Sequence, residues 1–291
     1  MRTNGSLTNG IPSDSARHHT ALVFERISRY AGRLAKEAKE STVHRFRTNS
    51  RRVEALVGEM APESGNSKKL LKLLSKLRKR AGKLRDLDVQ AAFLKELKIP
   101  DRQNHRLQLL AALEEDHACR SKKLTKSFDK EKVAQLRKRL RRAKSEVIID
   151  GTDPLKLAFS HLPKPGQIAQ TEKMLHASRI AAKRARYLAE FAAESANAKA
   201  LIAELKRAQD EIGRWHDVLK LTQRAEKLFG GVHDSSLVAA LQNIGRARFR
   251  RAGNALETAL IAVAKLQRVA PSEAPARKLA ADAAIAGSVA A

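Results

Sequence analysis

One ten-residue pattern occurs twice in this chain, and the repetition limits the accessible folds more than any other feature. VHRFRTNSRR begins at Val43 and LHASRIAAKR begins at Leu175. Each reads as an apolar residue, His, two spacers, Arg, three spacers and two basic residues. His44 matches His176, Arg47 matches Arg179, Arg51 matches Lys183 and Arg52 matches Arg184, each pair 132 residues apart. A second motif follows each copy. GKLRD (82–86) matches GRWHD (213–217), with Gly82 on Gly213 and Asp86 on Asp217 at a spacing of 131. Single basic matches arise easily in so basic a chain, but two ordered motifs at a conserved separation do not. The reading is a duplicated unit of about 130 residues.

The unit is helical. Leu70, Leu74, Leu77, Ala81 and Leu84 alternate steps of four and three, the seam of a helix bundle. Helix breakers are scarce, with 14 Gly and 8 Pro in 291 residues. The pattern predicts helices over 21–39, from a cap at Ser41 or Thr42 to about Met60, from Lys68 onward, and over 102–128 and 132–146. After a midpoint connection (150–165) come 170–193, 198–227 and 235–269. Residues 1–16 read as a disordered lead and 269–291 as a flexible Ala-rich tail. No alternating strand pattern of useful length occurs, so the fold class is all-α.

The repeated motifs have a direction. On a helix, His44, Arg47 and Arg51 share one stripe, while Val43, Phe46, Val53, Val57 and Met60 gather roughly opposite. His176, Arg179 and Lys183 form the second stripe, flanked by Arg186. Lys76, Lys79, Arg80 and Lys83 form a further strip beside the leucine seam. With 58 Lys plus Arg against 31 Asp plus Glu, the net charge is +27, whose self-repulsion an anionic partner relieves. Aligned cations without counter-charges suit repeated phosphates: Arg gives bidentate hydrogen bonds, Lys a mobile point charge, and His charge at low pH. A solvated face produces a basic stripe too; the recurrence of His44 and His176 with the same cations argues for a site. The run LRKRLRRAK (136–144) has no twin and reads as an auxiliary face. Asp86 and Asp217 read as structural carboxylates that accept from a nearby Arg.

Several chemistries lack their residues. The single cysteine, Cys119, excludes an internal disulfide and a thiolate zinc site. There is no phosphate-binding GxxxxGK[ST], no HExxH and no dinucleotide-binding GxGxxG. Carboxylate clusters fit to hold Mg²⁺ for phosphoryl transfer are poor, so the expectation is binding without turnover, with no cofactor and no metal. Aromatic residues at 4% leave few stacking platforms for bases. No segment reaches the ~20 apolar residues of a membrane span, and the N-terminus lacks a signal-like apolar stretch, so a cytoplasmic location is expected.

VHRFRTNSRR, LRKRAGKLRDLDV (77–89), LHASRIAAKRARYLAEF (175–191) and LKRAQDEIGRWHDV (205–218) together resemble the CHAD family, the conserved histidine α-helical domain, in family order over about residues 16–268. The resemblance implies two pseudo-symmetric helical bundles, here about 17–150 and 167–268, around a basic central cavity that binds inorganic polyphosphate. It also implies an association with polyphosphate granules in some members. His44, Arg47, Arg51 and Arg52 occupy its first motif, and His176, Arg179, Lys183, Arg184 and Arg186 the third; Arg207 falls in the fourth. The first motif departs at Glu54, where a basic residue matching Arg186 is expected. No ExExK element of a fused triphosphate hydrolase is present. Competing readings are a basic helical protein that binds nucleic acid or other polyanions non-specifically, and a granule-associated scaffold.

Overall fold

A computed structural model describes residues 14–99, 103–149, 152–166 and 171–269. Among these residues the chain is all helix and loop, without strands. The order is α1 (Asp14–Leu34), α2 (Glu40–Met60), α3 (Gly65–Glu96), α4 (His105–Lys126), α5 (Lys130–Glu146), α6 (Pro154–Ser160), α7 (Glu172–Ala189), a 3₁₀ turn (Glu190–Ala192), α8 (Ala196–Phe229) and α9 (Ser236–Val269). The lead at 1–13 and the tail at 270–291 lie outside the described residues. Asp14, Ser15 and Ala16, placed in the lead by the sequence reading, already belong to α1.

Local chemistry explains the boundaries. Ser64 caps α3 by accepting from the Ser67 N–H, and Asp129 caps α5 by accepting from the Lys132 N–H. The Glu146 carboxylate at the end of α5 accepts from the Ser64 and Ser67 hydroxyls at 2.9 and 2.8 Å, tying two helix termini together. The expected Ser41 or Thr42 cap of α2 is not used. That helix begins at Glu40, after Lys39, without a side-chain cap; an acid in its first turn suits the positive end of the helix dipole. Helix α6 was missed inside the supposed connection because seven residues are too few for periodicity. Its start signal was nonetheless present: Asp153 accepts from the Leu155 and Lys156 N–H groups, and Pro154 opens the helix.

The predicted seams are the core. Leu70, Leu74, Leu77, Ala81 and Leu84 of α3 meet Val43, Phe46, Val53, Val57 and Met60 of α2, and all are buried. Helices α1 and α5 close this first cluster. A second cluster joins α6, α7 and α8, and a third lies among α7, α8 and α9 around Trp215. A fourth is shared across the chain's midpoint: Leu87 and Leu94 of α3 and Leu109 and Leu113 of α4 pack with Leu221 and Ala225 of α8 and Leu237, Val238 and Leu241 of α9. This shared core fixes the distance between α3 and α8.

Phe46 is fully buried with its ring edge-on to Phe128 at 5.0 Å. Phe46→Ala should therefore cost about 3–5 kcal/mol of unfolding free energy in urea titration. A loss under about 1 kcal/mol in the same titration would contradict the packing described.

Candidate functional site

The two copies of the repeated pattern lie on α2 and α7, and these helices pack against each other. Small residues make the approach possible: Ala55 of α2 enters the same apolar cluster as Ala182 and Ala185 of α7. The contact brings Arg51, Arg179, Lys183 and Arg184 to the wall of one cavity of 370 Å³, with Glu54 of α2 and Leu71 and Arg78 of α3.

Most guanidiniums around the cavity are held by a carboxylate. Arg47 donates to Asp86 of α3 at 3.4 Å and approaches the Gly82 carbonyl at 3.5 Å. A Cβ at Gly82 would stand 3.7 Å from the Arg47 guanidinium, an ordinary van der Waals distance, so space alone does not demand glycine there. Nothing lies within 4 Å of a Cβ built at its match, Gly213. Arg52 donates to Glu190 at 2.6 Å, and Arg186 reaches the same carboxylate at 3.8 Å. Arg184 is paired with Glu59 across the α2–α7 contact. Arg78 holds Glu54 at 2.8 Å, so the one acid of the cavity wall is already engaged. Among the described residues Arg51, Arg179 and Lys183 make no ion pair, and Arg179 Nε is buried without a hydrogen-bond partner.

Crowding like charges away from water has the expected electrostatic consequences. Burial, then Arg51, Arg179, Arg47 and Arg186, pushes the Lys183 ammonium down to about 6. Burial also lowers Arg47 and Arg179 from the ordinary arginine value, with Arg51 adding to both. On α8, Asp217 faces Arg179; burial raises its carboxyl against the pull of that guanidinium. His44 and His176 are exposed and outside the cavity wall. Partial burial, then Arg85 and Arg47 for His44 and Arg179, Lys220 and Lys183 for His176, lowers each imidazole from its ordinary value. They gain charge only in more acidic solution than an ordinary histidine does.

The sequence-named residues therefore separate. Arg47, Arg51, Arg179 and Lys183 converge, with His44 and His176 beside them. Arg52 and Arg186 turn to Glu190 and the Tyr187 ring, and act as ties between α2 and the end of α7. On α3 the face toward the cavity is Leu71, Arg78, Gly82 and Asp86, four residues on one stripe. Lys79 and Lys83 stand beside it, Lys76 is about 140° round from Leu71, and Arg80 is about opposite. Arg80 accordingly points the other way, donating to the Ser127 hydroxyl. Arg207 is exposed on α8 and pairs with Glu204, apart from the cluster.

Two contributors were not named from sequence. Arg78 belongs to the densest basic stretch of α3, but its importance depends on Glu54, a partner on another helix. His216, within the second GxxxD motif, lies 5.5 Å from His176, and burial and Arg179 push it down to about 4. Its position in the repeated motif was the available signal.

A model of the CHAD domain matches residues 20–226. Among solved structures, the crystal structure of the CHAD domain from the plant Ricinus communis superposes with a TM-score of 0.59 at 19% identity, covering 93% of this chain and 97% of that one. PptA from Streptomyces chartreusis gives 0.55 at 13% identity, covering 88% and 98%. At these identities the structural likeness speaks for the fold alone. No curated protein matches the chain.

Lys183 offers a direct check on the cluster. Its folded value of about 6 lies below the unfolded lysine value, near 10.4. Between the two, the unfolded chain binds the extra proton, so this group's contribution to stability rises with pH and levels off above the unfolded value. Wild type should gain stability relative to Lys183→Met between pH 6.5 and pH 9.5 in urea titrations. An unchanged difference would mean that Lys183 titrates as an ordinary, solvated lysine.

Proposed function

The chain belongs to the CHAD domain family, and from that premise we propose that it binds inorganic polyphosphate, without turning it over, in the cavity between α2 and α7. One observation carries the reading: Arg51, Arg179 and Lys183, supplied by both copies of the repeated pattern, share a cavity wall and form no ion pair among the described residues, although Asp217 faces Arg179. A phosphate chain supplies the missing negative charge. It restores the proton to Lys183 and gives Arg179 Nε an acceptor. Arg contributes bidentate contacts and Lys183 a point charge. The same reading extends to attachment of the protein to polyphosphate granules in the cytoplasm.

Binding is favoured over phosphoryl transfer by the engagement of the local acids. Glu54, Asp86 and Glu59 each hold an arginine, so a divalent metal would compete with those ion pairs. Among the described residues no group of three or more His, Cys, Asp and Glu is placed to hold a metal. Polyphosphate is favoured over nucleic acid because the cavity wall carries one aromatic residue, Tyr187, and that ring is buried. Bases would find no stacking platform.

The decisive measurement is a competition titration of long-chain polyphosphate against duplex DNA of equal charge, at two salt concentrations. Polyphosphate should win, with affinity falling steeply with salt by analogy with counterion release. Arg51→Gln/Arg179→Gln/Lys183→Gln should weaken polyphosphate at least about a hundredfold, as the loss of three charged hydrogen bonds implies. Lys138→Gln/Arg141→Gln/Arg142→Gln removes three exposed charges from α5 and lowers the net charge equally, so it should change affinity only through the long-range field. Circular dichroism on each variant establishes that the helices persist. Equal affinity for the two polymers, or equal losses in the two variants, would reduce the site to a diffuse basic surface.

A further inference from the structure

A second concavity, of 640 Å³, lies between α3, α4 and α8, with Asp86 in its wall. Its cations come from all three helices: Lys83 from α3, Arg120 from α4, and Lys220, Arg224 and Lys227 from α8. The α8 residues continue the stripe that begins at Asp217, at steps of three, four and three, so they project along one face. Beneath them the shared apolar core, including Leu87 and Leu221, holds α3 and α8 together.

We propose that this groove carries the continuation of a phosphate chain leaving the central cavity, which makes the protein selective for long polymers over short ones. The inference rests on the polyphosphate reading given above and assigns it a path. Three observations support the path. First, the two concavities are joined: Asp86 lines the groove and also accepts from Arg47 of the central cluster. Lys220 is near enough to His176 and His216, both beside Arg179, to act on them electrostatically. Second, the groove is short of negative charge. Arg120 and Arg224 share the single carboxylate of Asp116 at 2.8 and 3.0 Å. Among the described residues Lys83, Lys220 and Lys227 form no ion pair. Third, the groove is long: from Asp217 to Lys227 the helix rises about 15 Å, which suits an extended chain rather than a single compact anion.

The same-sign stripe on α8 disfavours the folded helix by its own repulsion. Lys83, Lys220 and Lys227 are all exposed, so neutralising them leaves the core and the Asp116 bridge intact. The test uses Lys83→Gln/Lys220→Gln/Lys227→Gln in the full chain, with tripolyphosphate and long-chain polyphosphate as probes in calorimetric titrations at one salt concentration. Wild type should prefer the long polymer per molecule. The groove variant should bind the long polymer about tenfold more weakly, three exposed charge contacts contributing about twofold each. Its affinity for tripolyphosphate should stay within about twofold of wild type, and the α5 variant should keep the long-polymer affinity to within the same factor. Equal weakening of both probes, or equal weakening by the groove and α5 sets, overturns the path while leaving the central site standing. No binding of either probe by wild type overturns the polyphosphate reading itself. A groove variant indistinguishable from wild type on the long polymer shows that the chain does not enter the groove.

Discussion

The arrangement depends on holding Arg47, Arg51, Arg179 and Lys183 together although they repel. Two helices bearing the same basic pattern would separate in water. They stay in contact because Ala55, Ala182 and Ala185 bury a close interface and because acids from other segments clamp the outer arginines. Glu59 takes Arg184, Glu190 takes Arg52 and Arg186, and Asp86 takes Arg47. The Arg184–Glu59, Arg52–Glu190 and Arg47–Asp86 pairs each join residues far apart in the chain, so their loss is a loss of tertiary structure, whereas Arg186–Glu190 is a local i,i+4 contact. A partly buried pair of this kind is strongly destabilising when only one partner is removed. The basic motif therefore divides into residues that tie the helices and residues left without a counter-charge.

That division explains how a strongly basic protein can keep a half-buried lysine among its arginines. Lys183 relieves the repulsion by giving up its proton, its value falling to about 6 under burial and four neighbouring guanidiniums. Arginine has no such outlet at accessible pH. The cluster thus contains one member whose charge adjusts to the surroundings, and that member belongs to the second copy of the pattern, where the first copy has Arg51. On the polyphosphate reading, an arriving anion is met by a charge that forms on contact rather than one that must be stored.

The fold was legible in the sequence because helical periodicity depends on apolar spacing, and the seams at Leu70–Leu84 and Val43–Met60 keep that spacing without interruption. The first rows of the site were legible for a different reason: the repeat separates meaningful cations from the abundant ones. What remained hidden depends on contacts between distant elements. Arg80 lies in the same basic strip as Lys83, yet Ser127 of the α4–α5 turn turns it away. Arg78 looks no different from its neighbours until Glu54 is placed beside it. The groove cations on α8 lie outside the repeated motifs, and only the packing of α3 on α8 shows that they face Lys83. The helix face of α3 was misjudged by less than half a turn, enough to exchange Arg78 and Gly82 for Lys76 and Arg80.

The two copies of the pattern also contribute unequally, and the differences point one way. Arg47 is seated against Gly82, with its guanidinium fixed by Asp86 and the Gly82 carbonyl. Arg179 has no comparable partners: it forms no ion pair among the described residues, and its Nε is buried without a hydrogen-bond acceptor. Where α7 carries Arg186, α2 carries Glu54, and the acid consumes Arg78. Helix α2 thus contributes a braced Arg47 and an unpaired Arg51, while α7 contributes an unpaired Arg179 and Lys183 beside its paired Arg184. On the polyphosphate reading, a polymer between the helices meets unpaired side chains from both copies, Arg51 on one side and Arg179 and Lys183 on the other. Lys220 and Lys227 of α8 carry uncompensated charge further along one stripe, so the same reading gives the polymer a direction in which to leave the paired helices.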